Sequence, residues 1–131
     1  MDTREPAAHT ATVDVLIVDD QPPFREVART LVSLVAGWRV VAEAETGEDA
    51  VAEVARHLPG VVLMDINLPG ISGIEATREV VAANPSVRVV LLSTYGADDL
   101  PADALNCGAV AYLHKEELTP RRLREVLNQA F

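Results

Sequence analysis

Four apolar runs in this chain each end in polar side chains that could do chemistry. Val15-Leu16-Ile17-Val18 leads into Asp19-Asp20, Val61-Val62-Leu63-Met64 into Asp65, Val87 to Leu92 into Ser93-Thr94, and Ala109 to Leu113 into His114-Lys115. If folding brings these ends together, they supply three acids, hydroxyls and one amine. Three carboxylates in one crevice repel each other unless a proton or a cation joins them, and all-oxygen ligands favour a hard cation such as Mg²⁺. Mg²⁺ keeps several waters and takes one or two carboxylates plus phosphate oxygens, which leaves one aspartate free as a nucleophile. A lysine and a hydroxyl on the other side would then hold phosphoryl oxygens.

The elements that must gather these residues read as alternating strands and helices. With Arg39-Val40-Val41-Ala42, the runs above make five candidate strands. Phe24, Val27, Ala28, Leu31, Leu34 and Val35 recur at the spacing of one helix face, and Pro23 suits a first turn. Thr46 before Asp49, and Ser72 before Glu75, have the hydroxyl-then-acid spacing of helix starts, so the second and third helices are expected there. Gly108 suits the end of a fourth helix. Leu118-Thr119-Pro120 opens a fifth, with Leu123, Val126, Leu127 and Ala130 as its apolar stripe and Leu118 placed to staple against Leu123. Strict alternation implies parallel strands, right-handed crossovers and helices on both faces of the sheet. In such an open α/β sheet, ligands bind at the carboxyl ends of the strands, where the polar residues lie. The expectation is a doubly wound five-stranded α/β domain over residues 13–131, behind a polar, alanine-rich leader of residues 1–12.

The chain of 131 residues, 49% of them hydrophobic, has room for one core and no second domain. A formal net charge of −9, from 20 acidic and 11 basic residues, disfavours direct binding to nucleic acid or an anionic membrane surface. Cys107 is the single cysteine, which excludes an internal disulfide and a multi-cysteine zinc site and fits a cytoplasmic location. It reads as a packed small residue near a helix end. No stretch approaches the roughly 18 apolar residues of a membrane span, and the first residues lack a signal-peptide pattern. His9, His57 and His114 are scattered, and no metal or relay role is assigned to them. Arg121, Arg122 and Arg124 read as a solvated helix face.

The blocks Val15-Leu16-Ile17-Val18-Asp19-Asp20, Val62-Leu63-Met64-Asp65-Ile66-Asn67-Leu68-Pro69-Gly70-Ile71-Ser72-Gly73, Leu91-Leu92-Ser93 and Gly108-Ala109-Val110-Ala111-Tyr112-Leu113-His114-Lys115 resemble the four signature blocks of response-regulator receiver domains, in the same order. The resemblance spans about residues 13 to 130. It implies a flavodoxin-like sheet of strand order 2-1-3-4-5. It also implies two-component signalling, either by a stand-alone receiver or by the receiver of a helix-turn-helix regulator of the LuxR-like kind.

Carried over by resemblance, Asp65 is the phosphoacceptor for a sensor histidine kinase or phosphotransfer protein. Asp20, Asp65 and the backbone carbonyl of Asn67 ligate Mg²⁺, with Asp19 acting through water. Lys115 and Ser93 hold phosphoryl oxygens, and Ser93 with Tyr112 forms the switch that alters the surface of helix four, strand five and helix five. Because the sequence stops at Phe131, just after helix five, the output is expected to pass through a separate downstream protein. Three positions depart from the common pattern. Glu116 follows Lys115 where many receivers carry proline, so the cis peptide often found there is not implied. Thr94 replaces a small residue and adds bulk beside the site. Asn67 and Tyr95 occupy positions that tune phosphoryl lifetime in the family.

Two other functions compete. An aspartate-nucleophile Mg²⁺ phosphatase would suit the acidic crevice, although such enzymes want an aspartate where Asn67 stands. A receiver-like module that binds partners without phosphorylation would not need the full set of acids, hydroxyl and lysine. Flavin binding is disfavoured because Asp-Asp-Gln-Pro-Pro, not a hydroxyl- and glycine-rich loop, follows the first strand.

Overall fold

A computed structural model describes residues 12–94 and 101–129, with side chains as far as Val126. Residues 1 to 11 of the expected leader, His9, Tyr95, the side chain of Leu127, and Ala130 lie outside the described residues. The elements are β1 (Val13–Val18), α1 (Pro22–Ser33), β2 (Trp38–Ala44), α2 (Gly47–His57), β3 (Val61–Asp65), α3 (Gly73–Ala83), β4 (Arg88–Ser93), a 3-10 turn (Ala102–Asn106), β5 (Ala111–His114), a second 3-10 turn (Lys115–Glu117) and α4 (Pro120–Gln129). All four strand pairings are parallel, in the order β2-β1-β3-β4-β5.

Period-two alternation along the central strands sends successive side chains to opposite faces, so each strand feeds two apolar layers. Val15, Ile17, Leu63, Val90 and Leu92 pack with Ala28 and Val32 of α1 and with Leu123 and Val126 of α4. Leu16, Val18, Met64, Val89 and Leu91 pack on the other face with Ala50 and Val54 of α2 and Ala76 and Val80 of α3. β1, β3 and β4 are buried on both faces through most of their length, as their unbroken apolar sequences require. Leu118 and Leu123, the expected staple pair, are both buried in the first layer.

The caps form where the hydroxyls stand. Thr46 Oγ1 accepts from the Asp49 amide at 3.0 Å, and Ser72 Oγ accepts from the Glu75 amide at 3.2 Å.

The expected face of the first helix needs correction. Val27 and Leu34 are exposed, while Ala28, Val32 and Val35 are buried. At about 100° per residue, Val27 and Leu34 lie roughly 85° and 105° from the centre of the stripe formed by Phe24, Ala28, Leu31, Val32 and Val35, too far round to meet the sheet. The described part of the expected fourth helix is a short 3-10 turn, Ala102–Asn106, which starts after the extended backbone of Pro101 (ψ 142). Gly108, just beyond the turn, has φ +102, the left-handed conformation that glycine supplies. β5 starts at Ala111, two residues later than the apolar run. Cys107 is buried and unbridged.

Candidate functional site

Parallel register brings the polar ends together. Asp65 closes β3 opposite Leu92 of β4, and the next residue of β4, Ser93, lies opposite His114 of β5. Lys115 follows directly, and Asp19 follows the last residue of β1. Asp19, Asp65 and Ser93 are buried, whereas Asp20 and Asn67 face solvent.

Lys115 Nζ lies 2.7 Å from Asp19 Oδ2 and 3.6 Å from Asp65 Oδ2. The amine also stands over the Phe24 ring, 4.4 Å from its centroid, where the negative ring face favours a cation. Asp19 Oδ1 accepts the Gln21 amide at 2.8 Å, and Asp65 Oδ1 accepts the Asn67 amide at a long 3.4 Å. One carboxylate oxygen from each of Asp19, Asp20 and Asp65 falls within 4.8 Å of the others.

Burial pushes the Asp65 carboxyl up to about 6. The Lys115 charge opposes this, the Asp19 charge adds to it, and the hydrogen bonds from the Asn67 amide and the Lys115 amine pull the other way. At neutral pH the site therefore holds an ionised but poorly solvated aspartate beside one amine, with more acid than base around it. An all-oxygen donor set of this kind, open to solvent at Asp20, fits a hard divalent cation.

The family model of the response regulator receiver domain matches residues 15–128 of this chain. The chain belongs to the response regulator receiver domain family. This receiver is 38% identical over 104 residues to the transcriptional regulatory protein DegU of Brevibacillus brevis, an alignment covering 79% of the chain and 44% of DegU. It is 39% identical over 103 residues to the response regulator UvrY of Escherichia coli strain K12, covering 79% of the chain and 47% of UvrY. The chain thus spans less than half the length of these curated relatives. Among solved structures, a two-component response regulator of the LuxR family from Aurantimonas sp. SI85-9A1 superposes with a TM-score of 0.80 at 31% identity, covering 92% of the chain and 85% of that structure.

Of the residues singled out from sequence, Asp19, Asp20, Asp65 and Lys115 meet in this receiver within one small volume. Tyr112 is half-buried against the layer containing Cys107, and burial, with the thiol adding to it, raises its phenol. Thr94 is exposed, and its carbonyl lies 3.2 Å from His114 Nε2. No cis peptide bond occurs among the described residues, Lys115-Glu116 included. Arg121 and Arg122 pair with Glu125 on the outer face of α4.

Sequence reading missed three contributors. Phe24 was assigned to the core face, yet its ring also carries the lysine. Gly73 lets α3 start against the end of β3: a Cβ there would lie 2.0 Å from the Asp65 carbonyl oxygen. Arg25 reaches back from α1 to donate to the Asp19 carbonyl at 2.6 Å. A cation in the opening turns of a helix works against the helix dipole, and that was the available signal.

Proposed function

We propose that this receiver is a phosphoryl-accepting signalling switch. A carboxylate oxygen of Asp65 attacks the phosphorus of a phosphohistidine on a sensor histidine kinase or phosphotransfer protein. The P–N bond breaks, the histidine nitrogen leaves with the electron pair, and Asp65 becomes an aspartyl phosphate. The observation that carries this reading is the Lys115 amine at 3.6 Å from Asp65 Oδ2, brought there from the far side of the sheet.

Asp65 remains nucleophilic because its apolar surroundings deprive the carboxylate of solvation, while Lys115 keeps it ionised. The Lys115 amine, held by Asp19 and Phe24, would take a phosphoryl oxygen. Ser93, last in β4, would donate its hydroxyl to another oxygen, and Tyr112 would follow in the adjoining surface. An added charge of about −1.5 to −2 biases the domain only through such contacts that differ between its two states. Asp20, Asp65 and the Asn67 carbonyl would hold Mg²⁺, with Asp19 acting through water. When bound, Mg²⁺ offsets the charge of the acids and of the transferred group. The domain catalyses only its own phosphorylation and slow dephosphorylation, and passes its state to a downstream protein. No helix among the described residues is long and apolar enough to cross a membrane.

The phosphatase reading is less well supported, since the side chain two residues beyond Asp65 is the amide of Asn67. Intact-mass measurement after incubation with acetyl phosphate and Mg²⁺ separates the possibilities. The parent should gain one phosphoryl group, and Asp65→Asn or addition of chelator should abolish the gain. Continuous turnover of small phosphate esters without a trapped adduct would favour the phosphatase. Metal-independent partner binding with no adduct would favour a silent module.

A further inference from the structure

Asp19 has every polar atom engaged. Its amide donates to the Ala44 carbonyl at 3.0 Å, its two carboxylate oxygens take the Gln21 amide and the Lys115 amine, and its carbonyl takes the Arg25 guanidinium. Three of these partners follow from the sheet and the loop. The fourth comes from a side chain on α1 whose three nitrogens each have a different acceptor. Arg25 Nη1 donates to the Asp19 carbonyl at 2.6 Å, Nε to Glu43 Oε1 at 3.1 Å, and Nη2 lies 3.6 Å from Glu45 Oε2. Arg29 Nη1 donates to both Glu43 oxygens, Oε1 at 2.7 Å and Oε2 at 2.6 Å.

The charge balance of this cluster separates geometry from electrostatics. Arg25 and Arg29 face Glu43 and Glu45, so two cations meet two anions and little net charge remains to act on the acidic pocket. What Arg25 delivers there is direction. The planar guanidinium fixes the carbonyl of the Asp19–Asp20 peptide, and that peptide sets where the exposed Asp20 carboxylate stands relative to Asp65. A lysine at this position has one ammonium on a flexible stem and cannot serve three acceptors disposed around a plane.

We infer that Arg25 is a positioning residue for the acidic pocket, holding the Asp19–Asp20 peptide against β2 so that the pocket is preorganised for Mg²⁺. This rests on the reading of the site as a Mg²⁺-dependent receiver. The test is titration calorimetry with Mg²⁺ on the parent, Arg25→Gln, Arg25→Lys and Arg29→Gln, each checked for cooperative thermal unfolding without metal.

Arg25→Gln and Arg25→Lys should both bind Mg²⁺ about five- to tenfold more weakly, through the lost preorganisation. Arg29→Gln, which loosens the same helix–strand tie without touching Asp19, should bind as the parent does. Full rescue by lysine would assign the effect to charge, and an equal loss in Arg29→Gln would assign it to general packing; either result overturns the inference. If Arg25→Gln does not fold, Glu43→Ala replaces it, with an expected two- to threefold loss and parent-like binding as the contrary result. A parent that binds no Mg²⁺ at all would remove the functional reading and this inference together. A parent that binds, with variants that bind equally well, removes only the inference.

Discussion

Two ion pairs of the same 2.7 Å length sit at opposite ends of the sheet. At the carboxyl end Lys115 holds Asp19, and at the amino end Arg39 holds Asp14. The first pair is 12% and 0% exposed, the second 64% and 29%. Distance alone would rate them equal. At the amino end, solvent screens both charges and either partner can be lost cheaply. A cavity of about 260 Å³ lies there, lined by Thr12, Val13, Asp14, Leu58, Gly60 and Arg88, and its one acid is already matched by Arg39. At the carboxyl end, the buried Asp19 and Asp65 share one amine whose side chain is itself 12% exposed, with Asp20 on the solvent side, so the lysine is both needed and contested. On the proposed function, Lys115 would exchange Asp19 for the phosphoryl group.

The comparison can be broken most forcefully at Lys115. Lys115→Met leaves Asp19 and Asp65 without their cation and should cost about 3 kcal/mol, as losing one partner of a buried pair does. In urea denaturation the deficit should shrink on adding Mg²⁺, because a bound cation replaces the lost charge. An equal deficit with and without Mg²⁺ would show that the amine's role is packing.

Gly73→Ala comes next, at about 2–3 kcal/mol, since the new methyl group meets backbone and not a movable side chain. Urea denaturation reads this loss as well, and a parent-like midpoint would show that the start of α3 is not held against β3 as described.

Asp65→Asn sharpens the contrast in the other direction. The folded carboxyl titrates near 6, above the unfolded value of about 3.9, so folding favours its protonated form. That contribution is fully present below about pH 4 and is lost as pH rises through about 6, leaving the ionised group as a liability at neutral pH. Asp65→Asn should therefore be more stable than the parent by about 1–3 kcal/mol at pH 7 without metal, and the gain should fade below pH 4. Thermal unfolding of both proteins across this range measures the difference, and a gain independent of pH would contradict the assignment. The smallest effect belongs to the amino end: Arg39→Gln should leave both the denaturation midpoint and Mg²⁺ affinity at parent values.

Much of this was legible before any coordinates. The apolar runs, the Thr46 and Ser72 caps and the Asp-Asp, Asp65 and Lys115 landmarks appear in the structure where they were read, because each rests on periodicity or on a short local pattern. The errors fell where local pattern competes with context. Val27 and Leu34 share a helical arc with Phe24, Ala28, Leu31 and Val35, and only the packing, which centres the buried stripe toward Ala28 and Val32, leaves them exposed. The described part of the expected fourth helix is a 3-10 turn that starts after Pro101, a difference no local pattern announces. That Lys115 pairs with Asp19 in particular, and that Arg25 holds the Asp19 carbonyl, was not legible: Asp19 and Lys115 are 96 residues apart, and no local pattern assigns the amine to one acid over another.

Composition and patterning alone specify alternating strands and helices, an acidic surface and a set of acids, hydroxyl and amine at the strand ends, since these follow from residue type and period. Folding alone settles which acid the amine prefers, how far Asp65 is removed from water and that Arg25 grips the Asp19 carbonyl. Those properties depend on distances and dielectric surroundings between residues far apart in the chain, and only the closed sheet with its packed helices creates them.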